Sequence, residues 1–382
     1  MRLIAPPLRT SRRYPAVIQQ QPQQPKVGYV LSSEQSPTPH LVEFAVAAER
    51  AGFDALWTSD HFQPWQDNQG HAGFAWITLA AVAERTERVL LGTGVTCPTY
   101  RYNPAVVAQA FSTLDQLHPG RFFIGVGSGE ALNEQAATGD WGDFAERNRR
   151  LAEAVELMRR LWTGERVEHD GEYYSVHAKL YDTPPQGVPI YIAASGPESL
   201  ITAGKHGDGL VGDGESLSDP EIVGQFRQAA RESGKDADAL QIVAEHWVIV
   251  GDEAEAREYV QYWQFLPKAW DTFVEVPDPR EIERGAKAQV PVEDVLEKWT
   301  VSTDPEVHAQ KIQELLDSGI THLFLHSPQR DQHAVIDFLG SQVLPRLKGR
   351  EGTGQRDDAA SVQTTLPVDQ TSLDAGAMNP GT

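Results

Sequence analysis

The sequence predicts an α/β chain folded as a (β/α)8 TIM barrel with insertion segments. Two observations lead there. Short runs rich in Val, Ile and Leu, of the kind buried on both faces of a parallel sheet, alternate with stretches of helical periodicity through eight units. The first such run is followed by Ser32-Ser33-Glu34-Gln35, where a doubly wound open sheet would place a Gly-rich phosphate loop. A later Gly-rich run, Gly125 to Gly129, lacks the dinucleotide spacing and comes too far along the chain. A chain of 382 residues suits such a barrel, which commonly exceeds 200 residues as one domain.

The strands are expected at residues 27–31, 55–59, 89–96, 122–126, 190–194, 209–212, 242–250 and 322–326. Helices are expected at 40–51, 74–85, 104–117, 144–161, 198–205, 220–233, 253–262 and 305–317. In the first of these, Leu41, Phe44, Ala45 and Ala48 recur at helical spacing. Pro104, Pro220 and Pro305 stand near helix starts, where a missing N–H costs nothing, and Asp219 and Asp304 precede two of them as N-caps. Two segments interrupt the rhythm. Residues 166–189, with Gly171, Tyr173-Tyr174 and Pro184-Pro185, suggest an excursion containing a hairpin; residues 263–303 suggest an insertion that shapes the barrel mouth. The barrel domain is expected to span 26–348, between a disordered leader (1–25) and a disordered tail (349–382). Arg12-Arg13 is followed by Gln- and Pro-rich sequence with no apolar run, so no signal peptide is expected.

The net charge of −21 argues against nucleic acid and against an anionic membrane surface as partners. No apolar run is long enough to span a bilayer. Cys97, the single cysteine, rules out an intramolecular disulfide and a cysteine-rich metal site, and fits a reducing, cytoplasmic compartment. No His or carboxylate spacing suggests a metal.

In such a barrel, chemistry collects at the C-terminal strand ends. Those ends carry Glu34, Asp60-His61, Thr93-Gly94-Val95-Thr96, Gly127-Ser128-Gly129-Glu130 with Asn133, Ser195-Gly196, Asp213, His246 and His326. His61 suits a general base, because imidazole exchanges protons near neutrality, although a lone histidine is more often structural. Trp65 offers a broad apolar wall with one N–H donor, or ordinary core packing. Glu130 follows glycines that let backbone approach a planar ligand, and it could equally cap the next helix. The small-residue turn Ala193-Ala194-Ser195-Gly196-Pro197 opens a helix, a place where phosphate can bind.

Four runs in order carry a family resemblance. They are Ser59-Asp60-His61-Phe62-Gln63-Pro64-Trp65, Thr99-Tyr100-Arg101-Tyr102-Asn103-Pro104-Ala105, Gly127-Ser128-Gly129-Glu130-Ala131-Leu132-Asn133-Glu134 and Ile192-Ala193-Ala194-Ser195-Gly196-Pro197. From about Lys26 to Arg346 the chain resembles the luciferase-like oxidoreductases that use the deazaflavin coenzyme F420. More narrowly it resembles the subgroup of F420-dependent glucose-6-phosphate dehydrogenase and hydroxymycolic acid dehydrogenase. The resemblance implies a barrel of the bacterial luciferase-like type and oxidation of an alcohol by hydride transfer to the deazaflavin C5. It implies His61 as base, Trp65 as a support for the reacting intermediate, Glu130 as proton donor to the reduced cofactor, and Glu34 as a lining residue. It further implies cofactor contacts at Asp60, Gly94, Val95, Gly129, Asn133, Ala194, Ser195 and Gly196, a non-proline cis peptide at Gly94-Val95, and a homodimer.

The sugar-phosphate enzymes of this subgroup hold their phosphate with two lysines and an arginine. Their positions fall here in Asp213-Gly214-Glu215-Ser216, near Phe273, and at Lys298 before Trp299. Two of the three cations are missing, which weakens any phosphate grip. Substrate contacts are therefore expected from Lys298, Trp65 and Asp213, for a sugar phosphate or a less charged alcohol. Three rivals remain: a flavin mononucleotide (FMN)-dependent luciferase-like monooxygenase, a glycosidase pairing Glu34 with Glu130, and a cofactor-binding protein without turnover.

Overall fold

The structure, a computed structural model, describes residues 24–350. The expected leader and tail lie almost wholly outside the described residues. Among the described residues there are eleven strands: β1 (Lys26–Leu31), β2 (Ala55–Thr58), β3 (Leu90–Thr93), β4 (Ile124–Val126), β5 (Val167–Asp170), β6 (Ser175–Ala178), β7 (Ile190–Ala193), β8 (Gly209–Asp213), β9 (Gln241–Val250), β10 (Thr300–Ser302) and β11 (His322–His326).

Eight of them pair in parallel in the order β3-β2-β1-β11-β9-β8-β7-β4. Parallel bridges Leu91–Phe122 and Thr96–Val126 then join β3 to β4 and close the barrel. These are the eight strands expected from the sequence. The excursion at 166–189 holds the antiparallel hairpin β5–β6, and the insertion at 263–303 ends in β10, which extends beside β9.

Alternation along each strand sorts side chains between two cores. The inward set includes Trp57, Phe123, Tyr191, Val211, Val243 and Phe324, with Trp57 and Phe324 stacked at 4.1 Å. Such a barrel is a packed plug and not a pore. Gly92 makes room for it, since a Cβ there would stand 2.2 Å from the Phe123 ring. Outward residues such as Leu56, Leu91, Ile124, Ile192 and Ala244 pack beneath the helices.

Helices 104–117 and 305–317 appear with the expected bounds, and the Asp219 and Asp304 side chains cap their helices as expected, accepting from Glu221 N and Glu306 N. Helix Gln332–Phe338, which follows β11, is too short to leave a clear periodic trace. The insertion adds helices Pro279–Gln289 and Val292–Leu296 and builds a second apolar core, including Trp65, Trp247, Trp263, Phe265, Phe273 and Trp299, above one side of the barrel.

His246 departs from expectation. β9 runs on to Val250, so His246 is not at a strand end. Its neighbours Val243 and Glu245 follow the inward register, which turns His246 outward with Ala244 and Val248. There it is buried, hydrogen-bonded to Thr300 Oγ1 at 2.8 Å, and burial lowers its pKa to about 4. An imidazole held neutral in the fold but titrating near 6.5 when unfolded ties stability to pH. Between about 4 and 6.5 the unfolded chain binds more protons, so the contribution is complete above 6.5 and is lost as pH falls. The urea midpoint should therefore drop less between pH 6.5 and 4 in His246→Gln than in the wild type. Parallel curves would remove His246 from the acid response.

Candidate active site at the barrel mouth

Three neighbouring strands, β3, β4 and β7, end in small residues. Gly94, Val95, Ser128, Gly129, Ala193, Ala194 and Gly196 are half-buried there, with Ser195 exposed, and no large side chain rises from them to fill the space. The Gly94-Val95 peptide is cis, as the resemblance implies. Gly129 takes φ +88°, a left-handed conformation open to glycine, and a Cβ on it would stand 2.6 Å from Cys97 Sγ. The amides of Ser195 and Gly196 gather at Ser199 Oγ, at 3.3 and 3.1 Å, where helix Pro197–His206 begins. A flat floor of backbone beside a helix N-terminus suits a planar ring carrying a phosphate.

His61 stands beside this floor on the loop after β2. Its Nδ1 lies 3.2 Å from Glu34 Oε1, off line for a hydrogen bond, and Ser32 Oγ donates to Glu34 Oε2. Glu34 is buried behind the imidazole, the place of a group that orients a base and offsets the charge it acquires. A glycosidase pairing would need Glu34 to face Glu130 across a substrate; here it faces His61. Trp65 meets His61 edge-on at 5.9 Å and stacks on Phe265 at 4.6 Å. Exposed Trp270 stands against the other side of Trp65. The wall over the imidazole is thus supplied partly by the insertion.

Asn133 joins His61 to Glu130. Its Oδ1 accepts from Phe62 N (2.8 Å) and Gln63 N (3.2 Å), and its Nδ2 donates to Glu130 Oε2 (3.1 Å). The Asp60 carboxylate also turns inward: Thr96 Oγ1, Tyr102 OH and an Arg101 guanidinium nitrogen lie at 2.7, 3.0 and 3.3 Å. Both side chains, expected at the cofactor, also tie neighbouring loops together.

The remaining expected residues lie apart. Asp213 ends β8 and caps the short helix Gly214–Leu217 through Ser216 N. Exposed Lys298 lines a cavity of about 330 Å³ with Glu215, His246, Glu297 and Lys311. Among the described residues, no hydrogen bond or ion pair joins Lys298 to Asp213. Phe273, near which the resemblance puts one phosphate-binding lysine, is buried in the second core. Sequence reasoning gave no part to the pair His326 Nδ1–Glu245 Oε1 (2.6 Å), whose imidazole stacks on Trp247 at 3.8 Å. The crowding of tryptophans from Trp247 to Trp299 was its one visible signal. Among the described residues no group of three or more His, Cys, Asp or Glu side chains is placed to hold a metal ion. No helix among them is long and apolar enough to cross a membrane.

The sequence profile of the family described as "Luciferase-like monooxygenase" matches residues 22–322. An F420-dependent hydroxymycolic acid dehydrogenase from Mycobacterium tuberculosis is 48% identical over 323 residues, 84% of this chain and 88% of that protein. An F420-dependent glucose-6-phosphate dehydrogenase from Mycolicibacterium fortuitum is 43% identical over 330 residues, 85% of this chain and 98% of that one. A solved F420-dependent secondary alcohol dehydrogenase, in complex with an F420-acetone adduct, superimposes with a TM-score of 0.80 at 32% identity, covering 85% of this chain and 100% of its own.

The tie through Asn133 is measurable. Asn133→Ala removes the acceptor of two loop amides, and a buried amide without a partner costs about 1–3 kcal/mol. Chemical denaturation should show a loss in that range, and Asn133→Asp, which keeps the acceptor, should lose less. Equal stability in all three proteins would mean that the loop amides find other partners.

Proposed function

We propose, from the premise that the chain belongs to the luciferase-like family, that it is a coenzyme F420-dependent dehydrogenase oxidising an alcohol to a carbonyl. The observation that carries this reading is the pairing of the His61–Glu34 dyad with the open floor at the ends of β3, β4 and β7. Close relatives are F420-dependent dehydrogenases acting on hydroxyl groups.

The floor residues Gly94, Val95, Gly129, Ala194, Ser195 and Gly196, with the loops held by Asp60 and Asn133, would hold the deazaflavin, and its phosphate suits the N-terminus of helix Pro197–His206. When bound, the deazaflavin supplies the carbon that accepts a hydride. The protein's part is position and proton transfer. His61, backed through Nδ1 by Glu34, takes the substrate hydroxyl proton at its other ring nitrogen. Trp65 covers that nitrogen's approach and excludes water. Glu130, steadied by Asn133, exchanges a proton at the cofactor edge.

The alcohol is one without a phosphate dianion. Lys298 shares its cavity with Glu215 and Glu297 as well as Lys311, and the segment around Phe273, near which a second cation was expected, is apolar and buried. The alternative, an FMN-dependent monooxygenase, rests on the wording of the family description. The single cysteine, Cys97, supports a reducing, cytoplasmic compartment, and the resemblance supports a homodimer. Light scattering of the purified protein reads the latter.

Mixing the protein with each cofactor separates the two enzymes: quenched deazaflavin fluorescence with no FMN binding is the expected result. In an anaerobic panel, neutral alcohols should bleach the deazaflavin faster than glucose-6-phosphate does; the reverse order would restore sugar-phosphate specificity. His61→Ala should bind the cofactor normally and reduce it more slowly by a factor on the order of 10² to 10⁴. Unchanged turnover would place the base elsewhere.

A further inference from the structure

The run Thr99-Tyr100-Arg101-Tyr102-Asn103-Pro104-Ala105 marks the family resemblance, yet the proposed chemistry uses none of it. Arg101 is what it delivers to the mouth. Its guanidinium is largely buried and donates to the Asp60 carbonyl at 2.7 Å and to Asp60 Oδ1 at 3.3 Å. Its Nε lies 3.4 Å from Glu134 Oε1, and its own backbone N–H donates to Glu134 Oε2 at 2.8 Å. Asp60 immediately precedes His61. Glu134 stands one helical turn after Glu130, and its side chain packs under Gly129, where a Cβ would stand 2.9 Å from Glu134 Cγ. One cation therefore spans the two loops that carry the proton-handling groups.

We propose that Arg101 and Glu134 are a positioning pair that holds the His61 loop and the Glu130 loop in mutual register, and so governs turnover without touching substrate or cofactor. Rate is sensitive to such register, because a misplacement of about 1 Å can cost on the order of 100-fold. Placing a guanidinium and a fully buried carboxylate here is a poor way to gain stability alone. The desolvation of both charges is offset only by good geometry, and apolar side chains of similar size do as well or better.

The pair is also sensitive to protons. Burial pushes the Glu134 carboxyl up to about 7, against the opposing pull of Arg101, with Glu130 and Asp60 adding to the rise. Glu130, Asp60, Cys97 and Tyr102 are the titratable side chains that act on the pair. Above about 7 Glu134 is ionised and the ion pair is complete; below it the carboxyl takes a proton and the clamp loosens. Turnover then acquires an acid limb that belongs neither to His61 nor to Glu130.

This proposal rests on the dehydrogenase reading, and its test separates the two. Glu134→Gln, similar in shape and still an acceptor for the Arg101 amide, should shift or abolish the acid limb of kcat near pH 7. Cofactor affinity and KM should stay within about twofold of the wild type. Arg101→Lys keeps the charge but has no fork to bridge both loops, and should lower kcat roughly 10- to 100-fold at similar KM. An unchanged kcat–pH profile in Glu134→Gln overturns the proposal, as does an Arg101→Lys effect confined to KM. Hydrogen exchange without cofactor gives an independent reading: residues 59–65 and 127–133 should exchange faster in Arg101→Lys, and equal rates overturn the pair. A wild-type protein that never reduces F420 with any alcohol sinks the dehydrogenase reading and leaves exchange to decide the pair.

Discussion

The carboxylate of Asp60 accepts from Thr96, Tyr102 and Arg101, and the geometry of the mouth depends on that convergence. The three donors come from the loop that follows β3, while Asp60 belongs to the loop after β2. A buried carboxylate tolerates few displacements, because each lost donor leaves a charge in low dielectric. His61 is the next residue in the chain, so its backbone inherits the constraint. Asn133 adds a second tie from the loop after β4, and Glu34 a third contact from the loop after β1. Four successive loops thereby act as one rigid rim.

The barrel was legible in the sequence because strands buried on both faces leave short apolar runs that little else mimics. All eight barrel strands fall where those runs stand, and Pro and Asp mark several helix starts at their true positions. The candidate site was legible as a list of loop residues, since strand ends can be counted. Direction was not legible. The run at 242–250 marks β9, but which of its residues face the plug depends on register against β8 and β11, and so His246, counted with the strand ends, lies on the outer wall. Nor does the sequence say that the Asp60 and Asn133 side chains bind neighbouring loops. That depends on partners far away in the sequence. Arg101 is the plainest case. As one residue of a motif it looks like a surface cation, and only folding shows it buried between two loops.

The two halves of the mouth are made in different ways. Ends of β3, β4 and β7 offer backbone and small side chains, fixed by the closed sheet beneath them. Opposite, Phe265, Trp263 and Trp299 of the insertion pack against Trp65, His326 and Trp247 of the barrel in a chain of ring contacts. The insertion is fastened to the barrel by β10 beside β9 and by polar contacts, among them Trp263 Nε1 to Gln35 Oε1 at 2.7 Å, Ala131 N to Val274 O at 2.8 Å, Asn68 N to Glu283 Oε2 at 3.1 Å and the Arg147–Glu275 ion pair at 2.8 Å. Its apolar side chains bury a core of their own against Trp65 and Trp247.

That asymmetry has an evolutionary consequence. Mutations in the inserted segment can recarve the room offered to a reactant while leaving the redox platform untouched, because the two are encoded in separate stretches of chain. A lineage could exchange a charged sugar for a greasy hydroxyl compound by drift in some forty codons, with the electron-transfer apparatus carried along unaltered. In the present chain that segment is apolar where it meets the mouth, with Phe265 and Phe273 buried in it.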